Sequence, residues 1–306
     1  MVWRAAAGTE GRAGAWPLAG LTAVAMLAFA ANSLLCRLAL QQGRIDPASF
    51  GAIRLAAGAL TLAVVMRGRG AARAGAGAVA STSASASAGW VSAALLFAYA
   101  ALFSFAYVSL PAGTGALILF GAVQLTMLGA GLLSGERFSR GGWLGMALAL
   151  LGLAILLLPG AAAPSLFGAA LMAGAGAAWG GYSLRGRRAP DPLAATAASF
   201  LGAAPMAIVL VLPFATRMHA EAGGVGLAFA SGAVTSGLGY VVWYAALRNL
   251  SAMRAATLQL SVPLLASGGG VLLLGEAFTS RLALAALAIL GGIGLVLGSR
   301  ARGAGK

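Results

Sequence analysis

The chain has 306 residues, 60% of them hydrophobic and only 8% charged, with a mean hydropathy of +0.93. Soluble domains carry about 25% charged residues, so this balance excludes an ordinary soluble enzyme. The net charge of +14 comes from 20 Lys and Arg against 6 Asp and Glu, and the basic residues fall between apolar runs. That is how membrane orientation signals are distributed, so the bilayer, and not nucleic acid, is the expected partner.

Ten segments are apolar over roughly the 20 residues needed to cross a bilayer. A tail, 1–17, precedes span one (18–40), which carries Asn32 and the single cysteine, Cys36. Span two (47–66) opens on Asp46-Pro47, an N-cap carboxylate followed by a proline suited to the first helical turn, and holds Arg54. Segment 67–89 runs from Arg67-Gly-Arg-Gly into Ser/Ala/Gly sequence and reads as a flexible tether. Spans three (89–109) and four (112–134) carry Tyr99, Tyr107 and Gln124, and Gly135-Glu136 separates them from span five (141–158). Span six (166–184) carries Trp179 and Tyr182, and Asp191-Pro192 opens span seven (192–215) as Asp46-Pro47 opens span two. Span eight (224–247) holds Tyr240, Trp243 and Tyr244. Span nine (254–274) holds Gln259, Pro263 and Gly268-Gly269-Gly270, ahead of Gly275-Glu276. Span ten (281–299) leads into a basic tail, 300–306.

Alternating these spans from a cytoplasmic N-terminus puts fifteen basic residues on one side and four, Arg37, Arg44, Arg217 and Arg281, on the other. Under the positive-inside rule that split predicts ten helices with both termini cytoplasmic.

The halves repeat. Residues 132–157 and 272–297 match at nine of 26 positions, centred on Gly135-Glu136-x-Phe138 and Gly275-Glu276-x-Phe278. Phe29–Leu34 (FAANSL) echoes Trp179–Leu184 (WGGYSL) in the same way. The repeats are 18–158 and 166–299, five spans each, and an odd number inverts one half relative to the other. Inverted repeats are a recurrent architecture of secondary transporters, with the solute site between the halves.

Two five-helix repeats, each ending in a Leu-rich Gly-Glu-x-Phe motif, resemble the EamA-type transporters of the drug/metabolite transporter superfamily. Pro263, Trp179-Gly180 and Arg54 also match, whereas Val123 stands where repeat one would carry a proline and Phe29 replaces a tryptophan. The resemblance implies a bacterial inner-membrane carrier, an exporter of amino acids or their derivatives. A flippase for lipid-linked substrates, a multidrug exporter or a channel are the alternatives.

No carboxylate lies within a span, which disfavours proton coupling through a midplane acid. No cluster of His, Asp and Glu and no reactive Cys arrangement suggests catalysis, so neither enzyme activity, metal nor cofactor is expected. Arg54 reads as an anchor for a solute carboxylate or as a structural arginine bonding neighbouring helices. Asn32, Gln124 and Gln259 must turn inward, towards a cavity or a partner helix, because amides are costly in lipid. Trp179, Tyr182 and Tyr240 offer apolar walls with polar tips for a small solute. Tyr107 and Tyr244, near span ends, suit an interfacial belt. Glu136 and Glu276 read as fold fixtures, each accepting from free amides at the next helix start after a helix-ending glycine. Gly131/Gly135, Gly141/Gly145 and Gly294/Gly298 mark close contacts within the bundle or a homodimer face. Gly268–Gly270 marks a bend in span nine or tight packing.

Overall fold

The computed structural model describes residues 15–75, 86–133, 139–158, 163–186, 189–250, 255 and 258–303. Among them the regular structure is helical, joined by one isolated antiparallel bridge, Ile45 to Ala220. Helices α1 (Ala15–Gln41), α2 (Pro47–Gly75), α3 (Ala86–Ala106), α4 (Ala112–Leu133) and α5 (Arg140–Leu157) form the first half. Helices α6 (Leu166–Gly186), α7 (Pro192–Val211), α8 (Ala222–Leu247), α9 (Ser261–Leu274) and α10 (Ser280–Gly303) form the second. A 3-10 segment, Leu212–Arg217, extends α7, and the middle of α8, Ser231–Leu238, is wound as a π-helix.

Eight of these helices are long and apolar enough to cross a membrane. Helix α6 has 21 residues, but its Gly, Trp and Tyr content lowers its hydropathy, and α9 has only 14 residues. Helices satisfy their own backbone groups, which is what a hydrocarbon solvent demands. Their outward faces carry Leu27, Leu60, Leu272 and Leu287, all exposed. Apolar side chains on the outside, with Asn32, Arg54 and Gln124 buried inside, mark an all-α polytopic membrane protein.

The packing repeats as the sequence does. Helix α3 lies on α6 and α7, as α8 lies on α1 and α2; α4 lies on α6, as α9 lies on α1. The pairs α2–α7, α4–α9 and α5–α10 join equivalent helices of the two halves. Glycine sets the closest of these approaches. A Cβ at Gly145 of α5 would strike the carbonyl oxygen of Gly292 on α10, and one at Gly152 would strike Ile289. Gly294 and Gly298 face open space, so that small-residue pair makes no close contact within the chain. Helix α9 is continuous through Gly268–Gly270, with Gly269 against Leu34 and Gly270 against the Glu276 carboxylate. Gly269 and Gly270 thus serve close packing, whereas Gly268 faces open space.

Loop caps fix the helix ends. Asp46 accepts from the Ser49 amide at 2.9 Å, and Asp191 accepts from the Ala194 amide at 3.1 Å, so Pro47 and Pro192 enter helices already capped. Asp46 also accepts from the His219 amide at 3.2 Å, beside the Ile45–Ala220 bridge, which ties the two halves together. Partial burial pushes the Asp46 carboxyl up, but hydrogen bonds from Ser49, His219 and Ala48 outweigh it and leave its pKa below the ordinary value. Arg69 pairs with Asp191 at 3.1 Å.

Gly275 ends α9 in the left-handed region, at φ 66°, and Glu276 then accepts from the Ala112 amide at 2.9 Å through both carboxylate oxygens. The helix capped is therefore α4, in the other half, and not α10, which follows in sequence. Arg37 approaches the same carboxylate at 3.4 Å and donates to the carbonyls of Tyr107 and Val108 at 3.0 and 3.1 Å. One node thus joins the ends of α1, α3 and α9 to the start of α4. Tyr107 is fully buried in it, its hydroxyl donating to the Ala112 carbonyl at 3.2 Å, and is not an interfacial residue. Gly135 and Glu136 lie outside the described residues.

Candidate functional site

A small cavity, of about 30 Å³ in this arrangement, sits between the halves. Its wall takes Phe29, Asn32 and Ser33 from α1, Arg54 from α2, Tyr99 and Phe103 from α3, and Leu119, Phe120 and Val123 from α4. The second half supplies Trp179 from α6, Thr235, Ser236 and Tyr240 from α8, and Gln259 just before α9.

Arg54 organises the polar side. It is 3% exposed, donates to the Tyr99 hydroxyl at 2.9 Å, and sends Nε to the Ser236 hydroxyl at 3.4 Å. Its guanidinium carbon lies 5.1 Å from the Tyr99 ring centre and 4.7 Å from that of Phe103, within cation–π range. Nη1 is buried without a hydrogen-bond partner.

Asn32 is buried beside it. Its carbonyl oxygen accepts from Ser231 at 2.7 Å and from Thr235 at 3.3 Å, while Nδ2 reaches the Tyr99 hydroxyl at 3.5 Å. The π-wound turn of α8 makes this possible. It brings Ser231, Thr235 and Ser236 onto the buried face, and Gly232 allows the helix to close against the Arg54 backbone. Single π turns inside helices recur at functional sites.

The opposite wall is aromatic. The Trp179 ring is 4.6 Å from Tyr99 and lies 5.6 Å from Tyr240 at an interplanar angle of 24°. Phe29, at the position equivalent to Trp179, packs 6.0 Å from Tyr240.

Of the residues singled out in the sequence, Asn32, Arg54, Trp179, Tyr240 and Gln259 thus line one cavity. Tyr182 and Gln124 do not. Tyr182 turns its hydroxyl to Thr196 at 2.9 Å, which also bonds the Tyr244 hydroxyl at 2.9 Å, and so forms a strut between α6, α7 and α8. Gln124 is buried on α4 and does not line the cavity, although its neighbour Val123 does. Pro263 is buried within α9 and Ser267 bonds its carbonyl at 2.8 Å. The sequence reading missed Ser231, Thr235 and Ser236. Their signal was there, as polar residues at i, i+4 and i+5 inside an otherwise apolar span. Among the described residues no group of His, Cys, Asp and Glu is placed to hold a metal ion.

Comparisons with known proteins agree with this architecture. The model of the EamA-like transporter family matches residues 166–298, the second half. Uncharacterized protein PA1977 of Pseudomonas aeruginosa is 53% identical over 280 residues, which is 92% of this chain and 94% of that protein. A crystal structure of a protein 20% identical to this chain shares its fold, with a TM-score of 0.63 over 91% of this chain and 97% of the other. With its apolar helices, its repeated packing and a family match that spans the second repeat, the chain belongs to the EamA-like transporter family, as a multi-pass membrane protein.

Proposed function

We propose that the chain is an inner-membrane secondary transporter that exports a small, partly polar metabolite by alternating access, without catalysing a reaction. Its ten spans form two inverted repeats, 18–158 and 166–299, and both termini are cytoplasmic. The observation that carries this reading is a single cavity walled by both halves, with Arg54 and Asn32 from one and Trp179, Ser236 and Tyr240 from the other. Movement of one half against the other then opens that cavity to one side or the other. The exchange of packing partners between halves supports the same reading.

The charge split assigns the ends of α1, α3 and α9 to the non-cytoplasmic face. There the Arg37–Glu276–Ala112 node and the Ile45–Ala220 bridge hold the halves together, so this arrangement is closed on that side. Outward opening has to separate contacts of this set. Among the described residues no acidic side chain lines the cavity, which favours transport with weak or absent proton coupling.

Untargeted metabolomics of spent medium tests the assignment. An overexpressing strain should enrich a small set of solutes outside the cell relative to a deletion strain, and a well-inserted Trp179→Ala variant should lose that enrichment. Identical media from all three strains would refute export.

A further inference from the structure

We infer that the solute is a small monoanion, an oxyanion such as a carboxylate held by Arg54 and joined to a flat apolar group against Trp179 and Tyr240, and that solutes bearing an ammonium group are poorly accepted. The inference rests on the transporter reading and narrows its substrate class.

A guanidinium stays protonated at any pH the protein meets, and a buried charged donor left unsatisfied is costly. Arg54 is 3% exposed, Nε and Nη2 meet only neutral hydroxyls, and Nη1 meets nothing. The described acidic residues are all engaged elsewhere. Asp46 caps α2, Asp191 pairs with Arg69, Glu221 lies beside His219, and Glu276 caps α4 beside Arg37. Among the described residues the cation on the cavity wall therefore has no counter-ion, and an arriving oxyanion supplies one, with a charge-assisted bond at Nη1.

The neighbours sharpen the preference. The Tyr99 hydroxyl already receives the Arg54 and Asn32 donors, so its own proton is free to be donated. The Asn32 carbonyl, an acceptor that could have held an ammonium, already accepts the Ser231 hydroxyl, with the Thr235 hydroxyl 3.3 Å away. Arg54 Nη1 and the Tyr99 proton are thus donors on the same wall. The aromatic rings a few ångströms away offer apolar area and no formal charge.

The test uses the full chain in detergent and three probes of one shape: 3-phenylpropionate, L-phenylalanine and 2-phenylethylamine. Binding is read by ligand-induced thermal shift and titration calorimetry. 3-Phenylpropionate should bind at least tenfold more tightly than either amine. Arg54→Gln should lose tenfold or more of that affinity while unfolding at a similar temperature, and Arg54→Lys should recover part of it. If Arg54→Gln fails to insert, the ranking of the probes on the unchanged protein decides. Equal or tighter binding of an amine, carboxylate binding that survives Arg54→Gln, or no binding by any probe would overturn the inference. Proteoliposome flux separates the two readings. Saturable carriage of 2-phenylethylamine would leave a transporter and remove the anion site. Binding of 3-phenylpropionate without carriage of any probe would leave the anion site and remove the transporter.

Discussion

Glu276 shows how one side chain holds two halves together. Its carboxylate accepts from the first amide of α4 and sits 3.4 Å from Arg37, while Gly275 supplies the left-handed turn that aims it there. Losing a helix cap typically costs about 1 kcal/mol, and leaving Arg37 unpaired adds to it. Glu276→Ala should therefore lower the unfolding temperature and the membrane abundance clearly, and Glu276→Gln, which can still accept from Ala112, should lower them less. Thermal unfolding in detergent measures both. Asp46 predicts a pH dependence as well. Its pKa is lower folded than unfolded, so its contribution is complete above the unfolded value of about 4 and fades as pH falls through the folded one. Asp46→Asn should cost stability at pH 7 and progressively less as pH falls below about 4. At this scale the caps were legible, because Asp-Pro and Gly-Glu are local chemical patterns. Which helix Glu276 caps was not, because a residue 164 positions away is chosen by the packing of the halves.

Helices α5 and α10 meet through bare backbone. Gly145 and Gly292 each lie where a methyl group would strike the opposite chain, whereas Gly294, two residues further on, faces open space. Overpacking a close contact typically costs about 1–3 kcal/mol. Gly292→Ala should accordingly lower the unfolding temperature by several degrees, and Gly294→Ala should leave it unchanged. Equal effects would mean that the α5–α10 contact does not hold the fold. The positions of the helices were legible because hydrocarbon thickness fixes how long an apolar run must be. Helix type was not. The π-winding of Ser231–Leu238 is decided by the fit of α8 against Arg54 and Asn32, and it brings in the three hydroxyls that composition alone did not flag. The same helix-to-helix fit explains Tyr182 and Gln124. Both are buried, as amphipathic side chains must be in lipid, but Tyr182 spends its hydroxyl on Thr196 of α7 and neither residue lines the cavity.

For the molecule as a whole, the central claim is that one cavity, shared by two halves, carries solute by facing one side of the membrane at a time. The Arg37–Glu276 node and the Ile45–Ala220 bridge hold the halves together, and the cavity wall joins residues from both halves around Arg54. The repeat could be read from Gly-Glu-x-Phe and its parity, but the meeting of Phe29 and Trp179 around Tyr240 needed the packing to be seen. Counterflow in proteoliposomes tests the claim most directly. Vesicles holding the full chain are loaded with an excess of the unlabelled solute found in spent medium and diluted into a trace of its labelled form. The account predicts that labelled solute accumulates transiently above its equilibrium level, saturably, and that Trp179→Ala reduces the overshoot several-fold. Entry that only relaxes to equilibrium, and rises in proportion to concentration without saturating, would contradict it.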